Sequence, residues 1–137
     1  MTVSVRADPG SAVRVGVRDW TSITLAVIGI GHLAMSPVLY GDQISDVLGA
    51  GLIAQIEADA AAKAERSAAF WYVTAGLAML LLAALVRALE RSPAGIPRYL
   101  SVAFAALGAW GVVLMPASGF WAFFVLAAIA WRSARPR

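Results

Sequence analysis

The chain has 137 residues, of which 61% are apolar and 14% are charged, whereas soluble domains are about 45–50% apolar and about 25% charged. A soluble domain of this size could not bury so much apolar surface, so the composition predicts a single-domain membrane protein. The net charge of +3 does not indicate a nucleic-acid partner, because the basic residues lie at the ends of apolar segments and form no stripe. The absence of cysteine excludes disulfides, thiol redox chemistry and thiolate metal sites.

The first apolar segment covers residues 20–39. It is uncharged and close to the ~20 residues that cross a bilayer, so it predicts the first span. Residues 1–19 are polar and without periodicity, and they are predicted to form a mobile cytoplasmic tail. A cleaved signal peptide is the alternative, because Arg14 and Arg18 precede the apolar run. The length of the run, and Pro37 near its end, favour a span.

The next segment, residues 42–66, is rich in alanine and charges. Apolar side chains recur in it at helical spacing, at Ile44, Leu48, Leu52 and Ile56. The pattern predicts an amphipathic helix that lies at the membrane interface with these four side chains turned inward.

Three further apolar segments follow and predict spans over about 68–89, 98–115 and 117–131. A Ser-Pro-Ala-Gly-Ile-Pro turn separates the second span from the third, and residues 133–137 form a basic tail. The predicted fold is therefore all-α: a four-helix transmembrane bundle over residues 20–132, with an interfacial helix between helices one and two. The last span is short, and it crosses fully only if residues 117–119 join it or the bilayer thins.

Charge predicts the orientation of this bundle. Nine of the eleven basic residues fall on one side of a four-span arrangement: Arg6, Arg14, Arg18, Arg87, Arg91, Arg98, Arg132, Arg135 and Arg137. The positive-inside rule makes that side cytoplasmic. We therefore expect a plasma-membrane protein with both termini in the cytoplasm and the acidic 42–66 segment outside.

His32 is the only histidine, and it lies inside the first span. If the span ends near Val38, His32 is roughly 9 Å below its outer boundary at about 1.5 Å per residue. An ionisable group at that depth is a candidate functional residue that faces the bundle interior. Three interpretations remain open: a neutral imidazole that fixes helix packing, a ligand contact, or a metal or haem ligand. A lone histidine lacks the further ligands that zinc or haem needs, so we predict no metal and no cofactor.

Polar and aromatic residues start helices two and four on the same side as His32. Together with it they predict a ligand-binding pocket in the outer leaflet, formed by His32, Phe70, Trp71, Tyr72, Ser118 and Trp121. The alternative is an aromatic belt at the level of the lipid headgroups, which needs no ligand.

Three short motifs carry a family resemblance. They are Gly-Ile-Gly-His-Leu at 29–33, Ala-Phe-Trp at 69–71 and Pro-Ala-Ser-Gly-Phe-Trp at 116–121. In these the chain resembles a group of small actinobacterial four-helix membrane proteins catalogued only as a domain of unknown function. The resemblance implies a four-helix bundle and marks His32, Phe70, Trp71, Ser118 and Trp121, but implies no activity. A more distant similarity to DoxX-like proteins concerns topology alone.

Two functions fit the sequence. The first is a membrane protein that binds a small apolar or amphipathic molecule between its helices, with or without a chemical step. The second is an accessory subunit that packs against a larger membrane protein or against further copies of itself. A small multidrug exporter is disfavoured, because that class is similar in length but carries a carboxylate in its first span.

Overall fold

Residues 19–134 are described by a computed structural model. In this part of the chain there are four α-helices and no strand: α1 (Trp20–Gly49), α2 (Lys63–Arg91), α3 (Arg98–Leu114) and α4 (Trp121–Ser133). The all-α prediction is confirmed. The predicted tails are residues 1–19 and 133–137, and all of them except 19, 133 and 134 lie outside the described residues.

Helix α1 continues well beyond the predicted end at residue 39. Pro37 lies inside the helix, and Tyr40 has non-helical angles, φ −136° and ψ 27°, at a kink. Proline has no N–H to donate to the carbonyl of the preceding turn, and its ring crowds that carbonyl, so helices bend at such positions. The apolar run ends at the bend, but the helix itself extends to Gly49.

The predicted interfacial helix over 42–66 is wrong. Residues 42–49 are the last turns of α1, residues 50–62 form turns, and residues 63–66 begin α2. Positive φ angles at Gly51 (98°), Leu52 (67°) and Ala54 (59°) explain why no helix continues there. These are left-handed conformations, which occur as single residues and interrupt a right-handed helix.

Two glycines let α1 and α2 approach closely. A Cβ atom added at Gly76 would lie 2.7 Å from Leu33 Cγ, and one added at Gly29 would lie 3.1 Å from Met79 Cβ and 3.3 Å from the Gly76 carbonyl oxygen. Small residues at a crossing point allow the backbones to come together and increase van der Waals contact. Gly31, two residues further along α1, faces open space.

A buried carboxylate joins the start of α1 to the end of α2. Glu90 is 3% exposed, and its Oε1 accepts hydrogen bonds from the backbone N–H groups of Thr21 (3.0 Å) and Ser22 (3.3 Å). The Ser22 hydroxyl donates to Oε2. The first amides of a helix have no partner within the helix and carry a partial positive charge, so an anion is favourable there. Glu90 therefore caps α1 from a neighbouring helix.

Helices α3 and α4 form a second hairpin, which turns at residues 115–120. Phe120 packs on Gly111, where a Cβ atom would clash with its ring, and Phe123 and Phe124 pack on Gly108. Residues 117–119 belong to the turn, so α4 begins at Trp121 and not at the predicted 117, and it has 13 residues.

The two hairpins pack together where α1 begins and α2 ends, which we call the Glu90 end. The core there is formed by Leu25, Ala83, Val86, Ile96, Phe104, Phe123, Leu126, Ala127 and Ala130. Within the described residues α1 contacts α4, whereas no comparable contact joins α2 to α3. Helix α1, with 30 residues, is about 45 Å long, and α3, with 17, is about 25 Å long. The α1/α2 hairpin thus extends beyond its partner towards residues 50–62, the loop end.

Helices α1 and α2 are long and apolar enough to cross a membrane, and α3 and α4 are shorter apolar helices. In the most apolar 18-residue window of α1 and of α2, only 22% of the residues are buried. The core helix of a soluble protein would be mostly buried. The large apolar side chains of these two helices therefore face outward around most of their circumference.

We expect the α1/α2 crossing to tolerate no side chain at Gly76. Gly76→Ala should lower the free energy of unfolding by about 1–3 kcal/mol, the usual cost of overpacking, because Leu33 must move. The measurement is unfolding in mixed detergent micelles. Gly31→Ala, the same change at an open position of α1, is the control and should have little effect. Equal stability of the two variants would contradict the crossing.

Candidate ligand-binding site

His32 lies against α2 in an aromatic cluster. Its ring stacks on Tyr72 with centroids 3.8 Å apart and an interplanar angle of 15°. Tyr40, at the kink of α1, contacts the ring of Tyr72 at a centroid distance of 5.3 Å. Of the three aromatic residues predicted to accompany His32 on helix two, Tyr72 is the one on which its ring stacks. The role of His32 in binding a ligand stays a prediction.

The polar edge of this cluster has one unused group. His32 Nε2 is buried and has no hydrogen-bond partner. The backbone carbonyl of His32 accepts a bond of 3.3 Å from the Ser36 hydroxyl, as occurs where serine bonds back to the preceding turn. A buried ring nitrogen without a partner is costly unless a ligand or water pairs with it. The unpaired nitrogen is therefore consistent with the predicted contact between His32 and a ligand.

Phe70 and Trp71 face a different part of the hairpin. Their rings contact each other edge to face at 5.2 Å, and Trp71 is 66% exposed. Both line a cavity of about 360 Å³ beneath the 50–62 turns, together with Leu52, Ala54, Gln55, Ile56, Glu57 and Ser67.

The contacts of Ser118 and Trp121 lie within the α3/α4 turn. The Ser118 hydroxyl donates to the carbonyl of Met115, and Trp121 Nε1 donates to the carbonyl of Pro116 at 2.9 Å. Both bonds close the turn between two helices. The six predicted site residues thus fall into three groups, of which only His32 and Tyr72 stack directly on each other.

A narrow groove lies between α1 and α2 at the loop end, and we call it the α1/α2 groove. Its volume is about 180 Å³. Its lining combines the last turns of α1, the 50–62 turns and the first turns of α2: Gln43, Ile44, Val47, Leu48, Leu52, Ile56, Arg66, Ala69, Phe70 and Val73. The lining includes all four side chains of the predicted apolar face, although α1 and the 50–62 turns present them instead of one continuous helix.

The α1/α2 groove adjoins the cavity beneath the turns, since Leu52, Ile56 and Phe70 line both. The cavity alone, at about 360 Å³, lies within the range typical of small-molecule sites, about 300–1,000 Å³. Leu52 has a left-handed backbone, which is strained for a residue with a branched side chain. Leu52 lines both spaces, and its left-handed backbone conformation places its apolar side chain against both.

Sequence reasoning missed the polar members of the groove, Arg66 and Gln43. Arg66 entered that reasoning only as one of the charges of the acidic 42–66 segment. A signal was nevertheless present, because Arg66, Ala69, Phe70 and Val73 have the spacing i, i+3, i+4 and i+7, which places them on one helical face. The groove thus combines an apolar wall with a guanidinium group.

Another groove lies at the opposite end of the α1/α2 hairpin. A surface groove of about 270 Å³ at the Glu90 end is lined by Ser22, Ile23, Ala26, Val27, Leu80, Ala83, Ala84 and Arg87. Within residues 19–134, no three His, Asp or Glu side chains are grouped so as to hold a metal ion.

A family model described as a family of unknown function (DUF6463) matches residues 16–137. No curated protein and no solved structure matches the chain. The resemblance to a domain of unknown function is confirmed, and it carries no activity with it.

We expect the His32–Tyr72 stack to stabilise the hairpin. His32→Ala should lower the free energy of unfolding by about 1–2 kcal/mol, because the aromatic contact is lost. His32→Phe should cost much less, since it keeps a flat ring. Met35→Ala, at a side chain 44% exposed on the same helix, controls for truncation in α1. If phenylalanine were as destabilising as alanine, the stack would not be the stabilising contact.

Proposed function

Because the chain belongs to DUF6463, a family of unknown function, we propose its function from geometry: it holds a small apolar or amphipathic molecule in the α1/α2 groove. We propose further that it does so as a multi-pass plasma-membrane protein with both termini in the cytoplasm. The observation that carries the binding proposal is the groove itself, an apolar space between two helices that shares three lining residues with a second cavity.

The exposure of apolar side chains supports the membrane location. Large ones are exposed on every helix, among them Val27, Ile30, Leu81, Val113 and Val125. In water such a surface would drive aggregation, whereas lipid tails solvate it. Tryptophan and tyrosine occur near the helix ends, as at a membrane interface: Trp20, Tyr99 and Trp131 at the Glu90 end, and Trp71 and Trp121 towards the loop end.

Charge supports the orientation. Arg87, Arg91, Arg98 and Arg132 all lie at the Glu90 end, at helix termini or within the last turns. Five carboxylates and two basic side chains lie in residues 42–66. The positive-inside rule then favours a cytoplasmic Glu90 end and an external loop end. The groove would open in the outer leaflet.

An accessory subunit is the second candidate. The observation that favours it is the length difference between the hairpins, which leaves the loop-end half of α1 and α2 uncovered by α3 and α4. A larger membrane protein, or a second copy of the chain, could pack there. Such a chain would purify without a bound small molecule and would depend on its partner for stable expression.

The topology is tested by cysteine labelling, which the natural absence of cysteine makes unambiguous. Single cysteines replace Ala12, Ala60 and Ala94 in separate variants. In intact cells an impermeant maleimide should label only Ala60→Cys, because the other two positions are proposed to be cytoplasmic. All three should react after the membrane is permeabilised. Labelling of Ala94→Cys from outside would overturn the orientation.

Binding is tested by filling the groove. Val47→Trp places a large side chain in the lining, whereas Val38→Trp makes the same change at a position of α1 that is 71% exposed. Mass spectrometry of material co-purified in mild detergent should find a small molecule with the wild type and with Val38→Trp. We expect Val47→Trp to lose it while keeping its melting temperature. Retention by Val47→Trp, or no molecule in the wild type, would contradict the binding function.

A further inference from the structure

We propose that the α1/α2 groove selects amphiphiles with an anionic oxygen headgroup, a carboxylate or a phosphate, and that Arg66 binds this headgroup. The inference rests on the proposed binding function and names the chemical class of its ligand. The apolar lining would take the hydrocarbon chain. The guanidinium would supply the one strong polar contact.

Arg66 is held in place but not neutralised. Its Nη1 donates a hydrogen bond of 2.9 Å to the backbone carbonyl of Gln55, which ties the start of α2 to the 50–62 turns. Its Nε is buried and has no hydrogen-bond partner. Among the described residues the ion pair is Lys63 with Glu57, at 3.2 Å, so no carboxylate of residues 19–134 pairs with Arg66.

The surroundings make this free donor costly without a ligand. Arg66 borders Ala69, Phe70 and Val73 on its own helix and faces apolar side chains of α1 across the groove. A charged group beside an apolar wall is poorly solvated, and an unpaired N–H there loses its hydrogen bond to water. Carboxylates and phosphates match the planar fork of a guanidinium, which a neutral hydroxyl does not.

The acidic residues of the neighbouring turns oppose an anion only weakly. Glu65 is engaged with Gln43 Nε2 at 3.3 Å, and the Glu57 side chain is 75% exposed in its pair with Lys63. Exposed charges are screened over about 8 Å at physiological ionic strength. An anionic headgroup in direct contact with Arg66 in a poorly solvated groove is screened far less. Its attraction to Arg66 therefore outweighs its repulsion by the exposed carboxylates.

The experiment compares stearate with stearyl alcohol, which has the same chain and no charge. Binding of each to the intact protein in mild detergent is measured by native mass spectrometry. The wild type should bind stearate at least about tenfold more tightly, as expected for a charge-assisted bond. Arg66→Gln should lose this preference. Lys63→Gln removes an equal charge one turn earlier, outside the groove, and should keep it.

A second variant tests the role of Arg66 even if Arg66→Gln fails to fold. Arg66→Lys keeps the charge but not the bidentate geometry, so it should leave a smaller preference than the wild type has. An unchanged preference in that variant, or in folded Arg66→Gln, would overturn the role of Arg66. Equal binding of stearate and the alcohol by the wild type would overturn the inference while leaving the proposed function standing. Binding of neither probe would overturn both.

Lysophosphatidate distinguishes the two sources of the headgroup. Both it and stearate should bind the wild type more tightly than stearyl alcohol. Tighter binding of lysophosphatidate would assign a phospholipid phosphate, and tighter binding of stearate would assign a free fatty acid. If neither anion exceeded the alcohol, headgroup selection would be excluded.

Discussion

The close approach of α1 and α2 at Gly29 and Gly76 is the contact on which the rest of the hairpin depends. With no side chain at Gly76, Leu33 lies directly over the α2 backbone, and His32 comes against Tyr72. Between helices in lipid, packing of this kind is the main attraction, because burying apolar surface away from lipid tails gains little. The crossing therefore sets the distance between α1 and α2 in the part of the hairpin nearer the loop end.

Glu90 constrains the same pair of helices at the opposite end. It accepts the first backbone N–H groups of α1, which have no partner within that helix. Thr21 and Ser22 are buried, so their N–H groups cannot bond to water, and the Glu90 carboxylate supplies the acceptor that they need. With the helices joined at one end and crossing tightly midway, the kink at Tyr40 can redirect only the loop-end part of α1. The α1/α2 groove lies in that part.

The sequence predicted those features that depend on hydropathy and helix signals. The starts of α1 and α3 and the turn before α3 agree with the structure, because tryptophan at an interface and proline in a turn are local signals. The end of α1 was missed for a physical reason. Hydropathy falls at Asp42, but a helix needs only its own backbone hydrogen bonds and continues through polar residues. The turns after Gly49 depend on left-handed angles at Leu52 and Ala54, which neither side chain favours.

The candidate site was only partly accessible to sequence reasoning. The inward direction of His32 followed from the rule that a polar group avoids lipid, but the choice of Tyr72 as its neighbour did not. Ser118 and Trp121 were placed beside them only by depth, and depth does not tell which neighbour a side chain contacts. Arg66 was counted only as one of the charges of the outer segment 42–66, and Glu90 was assigned no contact. Their burial depends on which helices meet, and a single sequence does not carry that information.

An amphiphile held in the α1/α2 groove would lie between the loop-end halves of α1 and α2. The most direct test is the location of a bound chain by nuclear Overhauser effects. Stearate whose chain carries ordinary hydrogen (¹H) is added in less than equimolar amount to methyl-labelled protein in fully deuterated detergent. We expect cross-peaks to the methyl groups of Ile44, Val47 and Leu48, with none of similar strength to Val27 on the exposed face of α1. Equal cross-peaks to Val27 and Val47 would mean nonspecific contact with the apolar surface and would contradict binding in the groove.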